Sequence, residues 1–229
     1  MRRFKGLLLD LDGTVYPYAT AHQPAQEGIM NWLQETLGIS SSALETAFHQ
    51  ARVMTHSELP GSGAKHHRLL YFQRMLECLG RNDLALANDA CDRYWQIFFR
   101  HMVKFNWFEM AWIHWQKIQI SICWVTDLIS NTQIQKLKHL NLLVPHAFLV
   151  TSEEVGHEKP HPYIFQVAAG KLQLPFSDLC MIGDDFKKDI QGASRLGIFS
   201  FWLGIGQPEE PLPDRVIRFS SFEEIQEYF

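Results

Sequence analysis

Alternation between short apolar runs and helix-like segments constrains this chain more than any other feature. Ile118 to Val125, Ala147 to Val150, Leu179 to Ile182, Phe199 to Leu203 and Val216-Ile217 are short and rich in β-branched or aromatic residues, as strands covered on both faces are. The segments between them have helical character. Ser130 to Leu140 opens with the Ser-x-x-Gln spacing of a capping box. Pro160 to Leu172 begins with two prolines suited to a first helical turn, and Phe186 to Leu196 stops at Gly197. Phe222 to Phe229 reads as a short terminal helix. Strand and helix in turn predict right-handed crossovers and a parallel sheet, to which Leu7 to Leu9 adds a strand.

The stretch from Tyr18 to Val103 lacks strand signals. Gln23–Leu37, Ser41–Ser57, Lys65–Leu79 and Asn82–Val103 read as successive helices, interrupted by Pro60-Gly61-Ser62-Gly63. The predicted fold is therefore α/β: a doubly wound parallel sheet built from residues 1–17 and 104–229, with an inserted α-helical cap over 18–103. A chain of 229 residues has room for both. The loop Glu58 to His67, with Lys65, His66 and His67, is the expected substrate-facing part of that insert.

In an open parallel sheet, ligands bind beyond the carboxyl ends of the strands. Those ends carry a coherent set here. The first run delivers Asp10 and Asp12, the second Thr126 and Asp127, and the third is followed by Lys159. The fourth delivers Gly183-Asp184-Asp185, with Asp189 close behind. Paired acids at the end of a buried strand need compensation, and Lys159 alone does not balance so many aspartates. A hard divalent cation does, and oxygen ligation suits Mg²⁺, which commonly also binds substrate phosphate. Thr126, Lys159 and backbone N–H groups of Leu11-Asp12-Gly13 are candidate phosphate donors, with Gly13 permitting close approach.

These motifs resemble the haloacid dehalogenase superfamily. DLDGTVYP resembles its first motif, Thr126 its second, Lys159 in VGHEKPHPYIF its third, and GDDFKKDIQGASRLG its fourth. The resemblance covers the core, and the helical insert after the first motif is similar to that of members with a small helical cap. It implies a nucleophilic Asp10 that forms an aspartyl-phosphate and a general acid–base role for Asp12. Asp10, the Asp12 backbone carbonyl and Asp184 would hold Mg²⁺, and Thr126 and Lys159 would bind phosphoryl oxygens. Asp185 and Asp189 would support the metal site or Lys159. Asp127, a candidate substrate-binding residue, stands where the family often has Asn; it either adds negative charge beside the phosphate site or points at backbone N–H groups. The implied activity is hydrolysis of a small phosphomonoester, a nucleotide or a sugar phosphate, with TSEEVGHEKPHPYIF leaning toward nucleotidases. A phosphosugar mutase and a catalytically silent binding or regulatory relative are the alternatives. Dehalogenation is disfavoured by the acid at position 12.

Composition narrows the class further. Net charge is −4 with no basic stripe, which argues against a nucleic-acid partner. The four cysteines are far apart, with no zinc spacing, and suit a reducing, cytoplasmic setting. Asp10 and Asp12 cut short the apolar run after Met1-Arg2-Arg3, so no signal peptide is expected, nor any membrane span. The seven tryptophans are expected in the core. Oligomeric state is not readable from these residues.

Overall fold

The apolar runs form a six-stranded parallel sheet among the residues described by the structure, a computed structural model covering 4–204 and 212–229. The strands are β1 (Gly6–Leu9), β2 (Ser121–Thr126), β3 (Phe148–Thr151), β4 (Leu179–Gly183), β5 (Phe199–Leu203) and β6 (Val216–Phe219), in the order β3-β2-β1-β4-β5-β6. Every neighbouring pair is parallel, with Leu9 beside Trp124 on one side and Ile182 on the other. Chain direction across the sheet reverses between β1 and β4, which opens a crevice at their carboxyl ends.

The chain divides into two compact units: Met1–Pro17 with Val103–Phe229, and Tyr18–Met102. Met1, Arg2 and Arg3, where a signal peptide was considered, and residues 205–211 of the core lie outside the described residues. The second unit is helical: α1 (Tyr18–Leu37), α2 (Ser41–Glu58), a 3₁₀ turn at Gly63–His66, α3 (Arg68–Cys78) and α4 (Leu84–Arg100). Ser40 caps α2 and Asp83 caps α4, the latter accepting from the Leu86 N–H at 2.9 Å. Ala25, Ile29, Leu33, Leu44, Phe72, Met75 and Phe98 form its interior. The fourth helix ends at Arg100, short of the expected Val103, which is 68% exposed. An apolar residue left outside the buried stripe gives the helix nothing to continue for.

The sheet unit adds α5 (Asn106–Ile118), α6 (Ser130–His139), α7 (Ser152–Val155), α8 (Pro162–Leu172) and α9 (Gln191–Ser194), the last preceded by a π-helical turn at Phe186–Ile190. The run Ile118 to Val125 is not one strand. Ile118 closes α5, Gln119 takes a left-handed conformation (φ 52°), and only then does β2 begin. The expected terminal helix is a 3₁₀ turn, Gln226–Tyr228.

Alternation along the strands separates two cores. Leu8, Val125, Val150 and Met181 pack with Ile164, Phe165 and Ala168 of α8 and Ala193 of α9. On the opposite face, Trp115 of α5 meets Trp107, Phe108, Phe222 and Phe229, and Trp124 meets Phe108 and Trp112. No helix among the described residues is long and apolar enough to cross a membrane.

Trp115 is fully buried in that aromatic layer. Trp115→Ala is expected to destabilise the protein by about 3–5 kcal/mol, as large-to-small aromatic truncation does. The check is the urea midpoint followed by circular dichroism; an unchanged midpoint would contradict this packing.

Candidate active site

Asp10 leaves β1 at the point where chain direction reverses, and its N–H donates to the Ile182 carbonyl of β4 at 3.0 Å. Its side chain is buried. One oxygen accepts from Lys159 Nζ at 2.6 Å, and the other from Thr14 Oγ1 at 2.8 Å. Thr14 Oγ1 also lies 3.0 Å from Asp184 Oδ1, so one hydroxyl spans the acids of β1 and β4. Lys159 Nζ is shared with Asp189 Oδ1 at 2.6 Å. The buried ammonium thus lies between two buried carboxylates. Asp10, Asp184 and Asp189 each bring an oxygen within 4.8 Å of the others.

Burial is the largest influence on these acids, and it raises all three pKa values. Asp184, with Asp10 adding like-charge repulsion, is pushed up to about 7. Burial alone would lower Lys159, but Asp10, Asp189 and Asp127 overcome it and hold the ammonium well above its ordinary value. With all three acids ionised, one lysine leaves the cluster at a formal charge of −2. An oxygen-only donor set with that charge deficit fits a hard divalent cation.

Asp12 has a different environment. Both its oxygens accept from Lys136 Nζ at 2.7 Å; Gln133 Nε2 donates to one at 3.0 Å, and the Tyr16 hydroxyl donates to the other. Burial works to raise Asp12, but Lys136, Tyr16 and Gln133 prevail and lower its pKa. Its carboxylate is not in the three-acid cluster. The two acids that looked uncompensated in sequence meet different lysines, Asp12 pairing with Lys136 and Asp10 sharing Lys159 with Asp189.

The remaining expected residues divide in use. Gly13 has φ 92°, and a Cβ there would collide with the Asp184 carboxylate. Its N–H is taken by the Tyr16 carbonyl at 3.2 Å, so Gly13 contributes conformation and clearance to the cradle. Thr126 Oγ1 accepts from Gln133 Nε2 at 2.6 Å. Asp127, expected beside the phosphate, has both oxygens committed within the protein: one accepts the Lys159 N–H at 3.0 Å and the other pairs with Lys188 at 2.8 Å. Asp185 caps the following turn by accepting from the Lys187 and Lys188 N–H groups. Asp189 also accepts from the Asp185 N–H at 3.1 Å.

Five participants were not singled out from sequence as site residues: Thr14, Tyr16, Gln133, Lys136 and Lys188. The Ser130–Gln133 capping box does not form. The Ser130 N–H goes to Glu153, its hydroxyl to Thr151, and Gln133 turns to Asp12, Thr126 and the Asp127 carbonyl. The legible signal was spacing: Gln133 and Lys136 are three apart on α6, beside Leu137 and Leu140 of its buried side. Polar residues within a buried stripe need partners.

A family model for haloacid dehalogenase-like hydrolases matches residues 4–197. The chain is 32% identical over 195 residues to a ribulose-1,5-bisphosphate 5-phosphatase of Halopiger xanaduensis, covering 84% of this chain and 81% of that one. It is 26% identical over 212 residues to a glyceraldehyde 3-phosphate phosphatase of Methanopyrus kandleri, covering 91% and 88%. Among solved structures, a HAD phosphatase from Thermococcus onnurineus superposes with a TM-score of 0.76 at 21% identity, covering 98% of this chain and 97% of that one.

A divalent cation at this cluster would compete with a proton on Asp184. A carboxylate whose pKa is higher folded than unfolded lowers stability as pH rises from about 4 to about 7, and a bound cation offsets that loss. The rise in melting temperature produced by a saturating divalent cation is therefore expected to be larger at pH 8 than at pH 5.5. Equal rises at both pH values would count against Asp184 as a ligand.

Proposed function

The chain belongs to the haloacid dehalogenase-like hydrolase family, and from that membership we propose that it is a Mg²⁺-dependent phosphatase of small sugar-type phosphomonoesters. The observation that carries this reading is Asp10, buried at a strand end and oriented on one oxygen by Lys159 and on the other by Thr14, beside Asp184. Relatives matched over most of both chains bear the names of phosphatases acting on ribulose-1,5-bisphosphate and glyceraldehyde 3-phosphate. They favour sugar phosphates over the nucleotides toward which the third motif leaned.

In this reading an Asp10 oxygen attacks phosphorus, and the ester P–O bond breaks as the leaving oxygen takes a proton from Asp12. In the second half, water gives its proton to Asp12 and attacks phosphorus. The Asp10–phosphorus bond breaks, releasing inorganic phosphate and the free carboxylate. Lys159 and Thr126 hold phosphoryl oxygens, and Asp127 positions Lys159 through its N–H. Asp10 and Asp184, with Asp189 and the Asp12 carbonyl as further oxygens, would hold Mg²⁺, which neutralises charge on the phosphoryl group. Lys136 and Gln133 are positioning residues that orient Asp12 and stabilise the carboxylate left once its proton has gone to the leaving oxygen, the form required to activate water.

With Mg²⁺, wild-type protein is expected to release phosphate continuously from an aryl phosphate, and Asp10→Asn to lose roughly 10³-fold or more, as removal of a nucleophile does. Activity surviving that substitution would sink the mechanism. No release from a broad panel of esters would favour a silent relative, and release only as transfer to a second sugar position would favour a mutase. Lys136→Met is expected to lower kcat by about 10²-fold, at the low end of general acid–base contributions, with little change in KM and partial recovery in Lys136→Arg. A pure KM effect would contradict the positioning role.

A further inference from the structure

The peptide group that joins Asp184 to Asp185 is held at both ends. Its N–H donates to Asp189 Oδ2 at 3.1 Å, and its carbonyl accepts from the indole N–H of Trp202 at 2.9 Å. The first partner belongs to the three-acid cluster. The second comes from β5, where Trp202 stands in register beside Gly183 of β4. The plane of that peptide begins at the Asp184 Cα. Fixing it from both ends restrains the direction in which the Asp184 carboxylate leaves the chain, toward Thr14 and the oxygens of Asp10 and Asp189.

Trp202 is itself braced. Its buried ring meets Phe186 of the π-helical turn at 5.0 Å between centroids, and the guanidinium of Arg218 in β6 lies 5.6 Å from its centroid. Arg218 also donates through Nε and Nη2 to the Gly204 carbonyl at 3.2 and 3.1 Å, which ties down the chain just after β5. Gly204 leaves the indole its room: a Cβ there would fall 2.8 Å from Cδ2 of the ring. Burial of an indole does not by itself bring such a bond. The N–H groups of Trp107, Trp115 and Trp124 are buried without partners, whereas that of Trp202 is committed to the backbone of a candidate metal ligand.

We propose that Trp202 is a positioning residue of the cation site: its indole N–H holds the Asp184 carbonyl, so that the Asp184 carboxylate is set toward Asp10 before a divalent cation arrives. This rests on the Mg²⁺-dependent reading above and adds a residue from outside the motifs that carry it. Hydrogen bonds that orient metal ligands from behind are typically worth roughly 10- to 100-fold in metal affinity.

Calorimetric titration of the chelator-treated protein with Mg²⁺ tests this without any ester. Trp202→Phe keeps an aromatic ring and removes the N–H, and its Kd for Mg²⁺ is expected to rise by about 10-fold. Arg218→Met and Gly204→Ala, which disturb the indole without removing it, are expected to raise the Kd by smaller factors. Trp107→Phe removes an indole N–H that holds nothing, and is expected to leave the Kd unchanged. The melting temperature without cation is read on every variant. A lower melting temperature in Trp202→Phe with an unaltered Kd marks a structural role only and overturns the proposal. So does an equal rise in Kd in Trp107→Phe. If Trp202→Phe does not fold, Arg218→Met and Gly204→Ala decide, and an unaltered Kd in both overturns it. Wild type that binds no Mg²⁺ overturns it as well. If wild type binds Mg²⁺ but releases phosphate from no ester, the phosphatase reading has failed, and the change in Kd still decides the role of Trp202.

Discussion

The sheet unit depends on one ammonium group placed between two buried carboxylates. Lys159 reaches Asp10 and Asp189 at 2.6 Å each. Carboxylates about 5 Å apart repel by roughly 3–4 kcal/mol at an effective dielectric near 20, so ionised Asp10, Asp184 and Asp189 would force one another apart without a nearby cation. The position of Lys159 is itself prepared: its N–H is held by Asp127, which is anchored in turn by Lys188. An acid that read as a substrate contact is a support for the residue that makes the cluster tolerable.

Asp12 shows how two acids with one residue between them acquire different properties. Asp10 is drawn toward the acids of β4 and has its pKa raised by burial. Asp12 is drawn toward α6, where Lys136, Gln133 and Tyr16 lower it. A nucleophile needs orientation toward phosphorus, and a group that activates water needs to be ionised. Separate counter-ions let one short segment supply both: Lys136 dominates around Asp12, while Asp10 shares Lys159 with Asp189.

The helical unit follows a different electrostatic logic. Its buried charge, Arg68, rests on aromatic rings and hydrogen-bonds to an amide carbonyl and a phenol. In the sheet unit the surplus is negative, and a divalent cation can supply the missing charge.

The sequence by itself determined the strands, their parallel arrangement and the acids at their carboxyl ends, because short buried strands and crossover helices leave local patterns that few other folds accommodate. Asp10, Thr126 and Asp184 were legible there since each stands at or just past a strand end, and Lys159 and Asp189 follow on the segments that leave β3 and β4. Only the tertiary structure decided which groups pair. Lys136 and Asp12 are 124 residues apart, so nothing local distinguishes that lysine from a solvated one; Lys159 stood out in its motif, but its pairing with Asp10, 149 residues away, did not. It also decided that Gln133 serves Asp12 and Thr126 rather than a helix cap, and that Ile118 belongs to a helix. Burial and long-range partners override local propensity in such places, because satisfying a buried polar group is worth more than a cap or one added strand residue.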